Sequence, residues 1–167
     1  MIFVLDAYNA IHKIPTLERL LDKSLQAARD GLVTRSSRLI SGRGGITKII
    51  LVFDGKSDFR DLPNAAPSKI QIVFSETGET ADERIGEILE GLSGNKNIQV
   101  VSDDNSVRNH ARAYAVQTIS VAQFDGMIRK TEIKASPTGI VRDSGNRLTP
   151  QQAAEITQAY KKSLKLK

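Results

Sequence analysis

The stretch Met1-Ile2-Phe3-Val4-Leu5-Asp6-Ala7-Tyr8-Asn9 runs five apolar residues straight into a carboxylate, an aromatic ring and an amide. A strand covered on both faces reads as an unbroken apolar run, and open parallel sheets bind ligands just beyond the carboxyl ends of their strands. The stretch therefore predicts a buried strand with Asp6 at its functional end.

Outward from it the pattern returns. Lys48 to Phe53 is a second apolar strand, running into Asp54-Gly55; Lys69 to Phe74 is a third; Ile98 to Ser102 is a fourth, running into Asp103-Asp104-Asn105; Gln117 to Ser120 is a short fifth. Helical patterns separate them. After the first strand the chain turns through Ile14-Pro15, and Thr16 is placed to cap a short helix carrying Leu17, Leu20 and Leu21. A longer helix from about Ser24 puts Leu25, Ala28, Leu32 and Leu39 on one side, with Arg29, Arg35 and Arg38 elsewhere, and stops at Gly42 and Gly44-Gly45. Thr80 and Glu83 form a capping box ahead of the stripe Ala81, Ile85, Ile88, Leu89, Leu92. At about 100° per residue, Asp82 lies on the flank of that stripe near Ile85 and Leu89, while Glu83, Glu87 and Glu90 point away. A helix through Val107, Ala111 and Tyr114 presents Arg108 and Arg112 one turn apart, and Ser120 caps another carrying Val121, Phe124, Met127 and Ile128. Alternating strands and helices imply a mainly parallel sheet with helices on both faces, an α/β fold.

Three strand ends and one helix start thus each deliver an Asp to one edge of one sheet: Asp6, Asp54, Asp82 and Asp103. Any one of them alone is an ordinary turn or cap residue. Together they are a cluster of like charges, which repel unless a cation neutralises them. Oxygen-only ligands select a hard cation, Mg²⁺ or Mn²⁺, and the chemistry that suits it is phosphodiester hydrolysis. Competing chemistries lack their residues. There is no cysteine, hence no thiolate or Cys-ligated metal, and no Ser-His-Asp set. His12 and His110, on a polar turn and a helix, have no recognisable partner spacing and read as surface residues.

The 167 residues carry a formal charge of +5, unevenly placed. Residues 1–128 hold 15 Lys and Arg against 16 Asp and Glu, and residues 129–167 hold 9 against 3. A segregated basic segment attracts phosphate backbones in a salt-dependent way, although basic tails also serve solubility. No apolar run approaches the roughly 18 residues of a membrane span and no signal-peptide pattern is present, so the expectation is a soluble, cytoplasmic protein without membrane partners. Three regions are expected: a domain over 1–130, a polar loop or loose hairpin over 131–148 with turns at Ser136-Pro137 and Ser144-Gly145-Asn146, and a basic helix or tail over 149–167 that opens at Thr149-Pro150 and ends in Lys161, Lys162, Lys165 and Lys167. Oligomeric state is not legible.

Asp6-Ala7-Tyr8-Asn9 after an apolar strand, Val52-Phe53-Asp54, Gly78-Glu79-Thr80-Ala81-Asp82, and Val101-Ser102-Asp103 with Arg108 five residues on and Ser120 opening the next helix resemble the NYN branch of PIN-like nucleases, and within it the YacP-like bacterial domain. The resemblance spans residues 1 to about 130, and Gly-Glu-Thr-Ala-Asp is its most specific part. It implies a three-layer α/β/α PIN-like fold with strand order 3-2-1-4-5, and a metal-dependent endoribonuclease acting on single-stranded RNA, mRNA being one candidate and a ribosome a candidate partner. With that order Asp6 and Asp103 flank the crevice at the switch point. Carried over by position, Asp6, Asp54, Asp82 and Asp103 hold Mg²⁺ or Mn²⁺, Asn9 orients a ligand or bound water, and Arg108 contacts phosphate or braces the acidic cluster. Asp104 stands between ligating and capping, with capping preferred, and Ser102 and Asn105 are further candidates at the same turn. Tyr8 either stacks on a base or packs on the sheet; Arg112, Lys161, Lys162 and Lys165 extend the RNA-binding set.

A haloacid-dehalogenase-type phosphatase also places an Asp after its first strand, but needs a second carboxylate two residues on, where this chain has Tyr8. A receiver domain needs adjacent acidic residues after that strand and a Lys near the last one; neither occurs. The remaining alternative is a catalytically silent RNA- or ribosome-binding module that keeps the acidic pocket, against which the four retained carboxylates argue.

Overall fold

The computed structural model describes residues 1–55, 68–76 and 78–135. Five parallel strands, β1 (Ile2–Asp6), β2 (Lys48–Phe53), β3 (Ile70–Phe74), β4 (Ile98–Val101) and β5 (Gln117–Ile119), form one sheet in the order β3-β2-β1-β4-β5. β1 is therefore central, which is why its apolar run is unbroken. Alternation along it feeds two cores. Phe3 and Leu5 join Ile49, Leu51 and Phe53 of β2 on one face, and Val4 joins Ile50 and Val52 on the other.

The first face is covered by α1 (Ala7–Lys13), α2 (Pro15–Leu21), α3 (Leu25–Gly42) and α6 (Val121–Ala135), the second by α4 (Ala81–Gly91) and α5 (Asn105–Ala113). This is a three-layer α/β/α architecture with the strand order that the family resemblance implies. None of the described helices is long and apolar enough to cross a membrane.

Local readings mostly hold, with instructive departures. Ser24 caps α3, and Thr80 with Glu83 forms the capping box of α4. The turn falls at Ile14-Pro15 as read, but the residues before it are helical: α1 starts at Ala7, because the Asp6 side chain itself accepts the Asn9 N–H and Ala7, Ala10 and Ile11 have core to bury. α2 is entered through Ile14 with Pro15 at its first turn, where the missing N–H costs nothing, so Thr16 is not its cap. On α3 the expected roles of two residues exchange, Leu25 being 43% exposed and Arg29 8%. α6 continues to Ala135, inside the stretch read as loop. The rest of the segment over 131–148 and the expected helix or tail over 149–167 lie outside the described residues.

α3 and α6 are joined by a partly buried ion triad in which Arg35 Nη2 meets Asp125 Oδ1 at 2.5 Å and Arg129 Nη2 meets Asp125 Oδ2 at 2.6 Å. Asp125 and Arg35 side chains are only 8% and 14% exposed, so removing the carboxylate strands a guanidinium with little water. Asp125→Ala is expected to destabilise the domain by about 3 kcal/mol in urea unfolding; a change within about 0.5 kcal/mol would show that water compensates Arg35.

Candidate active site

Asp6 ends the central strand at the point where the crossovers depart in opposite directions, toward β2 on one side and β4 on the other. It is 9% exposed, and both its oxygens are held. Oδ1 accepts the Asn9 N–H at 3.1 Å and Oδ2 accepts the Ser102 hydroxyl at 3.3 Å. Ser102, 1% exposed, in turn accepts the Asp104 N–H at 3.0 Å, while Asn9 Oδ1 accepts the Asp103 N–H at 3.1 Å. The β1–α1 and β4–α5 junctions are thus fastened to each other twice.

Strand alternation then decides which acids meet. Counting from Val4, Asp6 belongs to the α4/α5 face; counting from Val100, so does Ser102. Asp82 stands half-buried in the first turn of α4, presented by the capping box and by a turn in which Gly78 has φ +90°, a conformation that suits glycine alone. Asp104 is exposed and caps α5 by accepting the Ser106 N–H at 2.7 Å. Burial pushes the Asp6 carboxyl above the usual carboxylate range, and the charges of Asp82 and Asp104 push it further, against the lowering effect of the bonds from Asn9 and Ser102. Asp6, Asp82 and Asp104 are therefore within electrostatic reach across three elements. Glu83 only caps: bonds from Thr80 hold its carboxyl below the usual range.

Two of the expected ligands stand apart from that group. Asp103 is half-buried with its N–H tied to Asn9, on the α1 side by strand parity. Asp54 is exposed, and its Oδ1 accepts the hydroxyl of the buried Ser75 at 3.0 Å, while Ser75 Oγ also accepts the Gly55 N–H at 3.0 Å. Among the described residues no three His, Asp or Glu side chains lie close enough to surround one cation. The donor chemistry around Asp6, oxygen only and anionic, suits Mg²⁺ or Mn²⁺; the side chains as they stand do not close around one ion.

Arg108, half-buried on α5, and Arg112, exposed and donating to Asn109 at 3.2 Å, lie on the helix whose N-terminus Asp104 caps. Asn105 is exposed at the first position of that helix. Tyr8 packs rather than presenting a free ring: it meets Phe53 edge-on, centroids 5.4 Å apart, and its hydroxyl accepts from Arg29 Nη2 at 2.5 Å. His12 is exposed and His110 half-buried near Glu83. Lys161, Lys162 and Lys165 lie outside the described residues. Sequence reasoning missed Ser75 and Arg29. Ser75 follows a strand end next to that of Asp54, a visible signal; a buried Arg in an amphipathic helix leaves none.

The raised carboxyl has a stability consequence. In the native state Asp6 binds its proton more tightly than in the unfolded chain, so its effect on stability is most favourable below the unfolded value of about 3.9 and worsens as pH rises through the window up to the folded value. With EDTA present, Asp6→Asn is expected to be more stable than the parent at pH 7 in urea unfolding, and the gain should close as pH falls toward 4. Equal or lower stability of Asp6→Asn at pH 7 would contradict this.

The YacP-like NYN domain model matches residues 3–165 of this chain, a match that includes the basic C-terminal segment. The chain is 30% identical over 92 residues to the uncharacterized protein YacP of Bacillus subtilis (strain 168), an alignment spanning 55% of this chain and about half, 53%, of that protein. The crystal structure of Rae1 (YacP) from Bacillus subtilis superposes over 99% of this chain and 91% of that one with a TM-score of 0.67 at 22% identity, a likeness of fold. Its W164L mutant covers 80% and 77% with a TM-score of 0.65 at 26% identity. Sheet order, acidic edge and family match agree, and the chain belongs to the YacP-like NYN domain family, a nuclease-type branch of the PIN-like domains.

Proposed function

We propose that this domain is a metal-dependent endoribonuclease that hydrolyses phosphodiester bonds of single-stranded RNA at the sheet edge around Asp6. One observation carries the reading: a nearly buried carboxylate, both oxygens held, with two further carboxylates from other elements close enough to raise it. A protein that used Asp6 only as a helix cap would gain nothing from gathering Asp82 and Asp104 around it. Clustered charge of this kind costs stability and is characteristic of sites.

Asp6, Asp82 and Asp104 would hold Mg²⁺ or Mn²⁺, with Asp54 and Asp103 at the margin. The bound ion would supply an acidified water and neutralise charge developing on the phosphate. The chain's own residues do the rest. Asn9 and Ser102 hold Asp6 in one orientation and so preset its side of the site. Arg108 would take a phosphate of the RNA, and Arg112, one turn on, would extend the track. An acidic edge repels a polyanion, so attraction has to come from these arginines and from Lys161, Lys162 and Lys165 of the basic segment. A ribosome presenting the RNA is compatible with such a basic segment.

Cleavage of end-labelled single-stranded RNA tests the mechanism. Activity is expected with Mn²⁺ and none with EDTA, and Asp6→Asn should lose at least about 10²-fold, the upper end of what replacing a mere supporting residue of a metal site costs. Metal-independent cutting, or full activity in Asp6→Asn, would refute it; RNA binding without cutting would favour a silent binding module.

Replacing Lys161, Lys162 and Lys165 together by Ala should weaken RNA binding and reduce the slope of log affinity against log salt by about 2, from roughly 0.7 per single-strand phosphate contact. An unchanged slope would remove the three lysines from the RNA-binding set.

A further inference from the structure

Behind the acidic edge, on the α3 side of the sheet, three aromatic rings surround one guanidinium. Arg29 of α3 lies 5.7 Å from the ring centroid of Tyr8, 5.5 Å from that of Phe53 and 5.7 Å from that of Phe74, and donates through Nη2 to the Tyr8 hydroxyl. Phe53 and Phe74 are stacked at 5.5 Å and Tyr8 meets Phe53 edge-on at 5.4 Å. The rings come from α1, β2 and β3, so the single guanidinium touches three elements from a fourth.

Each ring neighbours a polar group of the edge. Tyr8 lies between Asp6 and Asn9. Phe53 directly precedes Asp54. Phe74 directly precedes Ser75, whose hydroxyl donates to Asp54 at 3.0 Å. We propose that Arg29 is a positioning residue: by clamping Tyr8, Phe53 and Phe74 it sets the first turn of α1 and the ends of β2 and β3, and through them fixes Asp6 and Asn9 relative to Asp54 and Ser75.

The competing account is plain core filling. It leaves the chemistry of the side chain unused, because a cation 8% exposed carries a desolvation cost that an apolar chain of similar length would not. What an apolar chain cannot do is donate to the Tyr8 hydroxyl or sit as a flat cation on three ring systems at once. Arg29→Met should therefore loosen the edge, and Arg29→Lys, keeping charge but losing the planar fork, should fall between it and the parent.

The inference rests on the nuclease reading for its kinetic arm only. Four proteins are compared: the parent, Arg29→Met, Tyr8→Phe, which keeps the ring and removes the hydroxyl, and the double variant. RNA cleavage with Mn²⁺ should show kcat down roughly tenfold or more in Arg29→Met with KM within about twofold, since misplacement by about 1 Å costs up to 10²-fold in rate. Tyr8→Phe should lose kcat in the same direction, and the double variant no more than Arg29→Met alone, because both remove one shared contact. Amide resonances in a ¹H–¹⁵N spectrum give the readout without catalysis: Asn9 and Gly55, whose N–H groups bond Asp6 and Ser75, should both move in Arg29→Met. A folded Arg29→Met with unchanged kcat, a change confined to KM, strictly additive losses, or unmoved Asn9 and Gly55 resonances would each overturn the proposal. Should Arg29→Met not fold, Tyr8→Phe with full kcat and an unmoved Asn9 resonance would overturn it equally. An inactive parent whose Asn9 and Gly55 resonances move on Arg29→Met would support the clamp and sink the nuclease reading instead.

Discussion

A carboxylate at the end of a strand buried on both faces is the constraint around which this domain is arranged. Asp6 cannot retreat from the core, because the run before it is the centre of the sheet, and it cannot sit there uncompensated, because an unpaired charge out of water is costly. The fold answers with one main-chain N–H and one hydroxyl, from Asn9 and Ser102. Both donors come from the two turns that leave the switch point. The bonds that make Asp6 tolerable also tie those turns together, so the crevice expected at a reversal of strand order is built by the same few atoms that stabilise it.

The compensation is deliberately incomplete in its effect. Two hydrogen bonds lower the Asp6 carboxyl, yet burial and the neighbouring Asp82 and Asp104 leave it raised. A domain selected for stability alone would place Ser or Asn at one of these positions. Acidic pressure from three elements is a cost that a bound hard cation would relieve. On the other face the same edge is backed by Arg29 and its rings, which are rigid, wide and made of residues whose contacts are directional rather than merely apolar.

Much of this was legible in the sequence. Unbroken apolar runs told of a parallel sheet with two covered faces, and the Ser24 cap with Gly42 located α3 while the Thr80–Glu83 capping box located α4, because both signals are local and chemical. What escaped was long-range. Asp6 was readable as a strand end but not as the cap of a helix starting at the next residue, since Tyr8 and Asn9 carry no helical stripe of their own. Arg29 could not be found, because a helical wheel assigns charge to the solvent side and the rings that receive it come from 21 residues upstream and from strands far along the chain. The tail was left out of the motif resemblance, yet the family match, over residues 3–165, includes it.

The choice between Asp103 and Asp104 shows how far a simple periodicity reaches. In β4, Val100 faces α4 and α5 while Val101 faces the opposite core. Continuing the alternation puts Ser102 with Val100 and Asp103 with Val101, which matches what is seen: Ser102 bonds Asp6, and the Asp103 N–H goes to Asn9 of α1. Asp104, one further step on, returns to the face that holds Asp6 and Asp82 and still reaches α5 as its cap. Counting alone does not separate Asp54 from Asp104. Asp6 pairs in register with Val52 on one side and, one step past the Leu5–Val101 pair, stands opposite Ser102 on the other, so Asp54 and Asp104 each lie two residues, about 6.6 Å, farther along the strand direction with the same parity. What separates them is their engagement: Asp54 accepts the hydroxyl of Ser75 beside β3, whereas Asp104 follows Ser102, which bonds Asp6, and with Asp82 of α4 it presses on the Asp6 carboxyl.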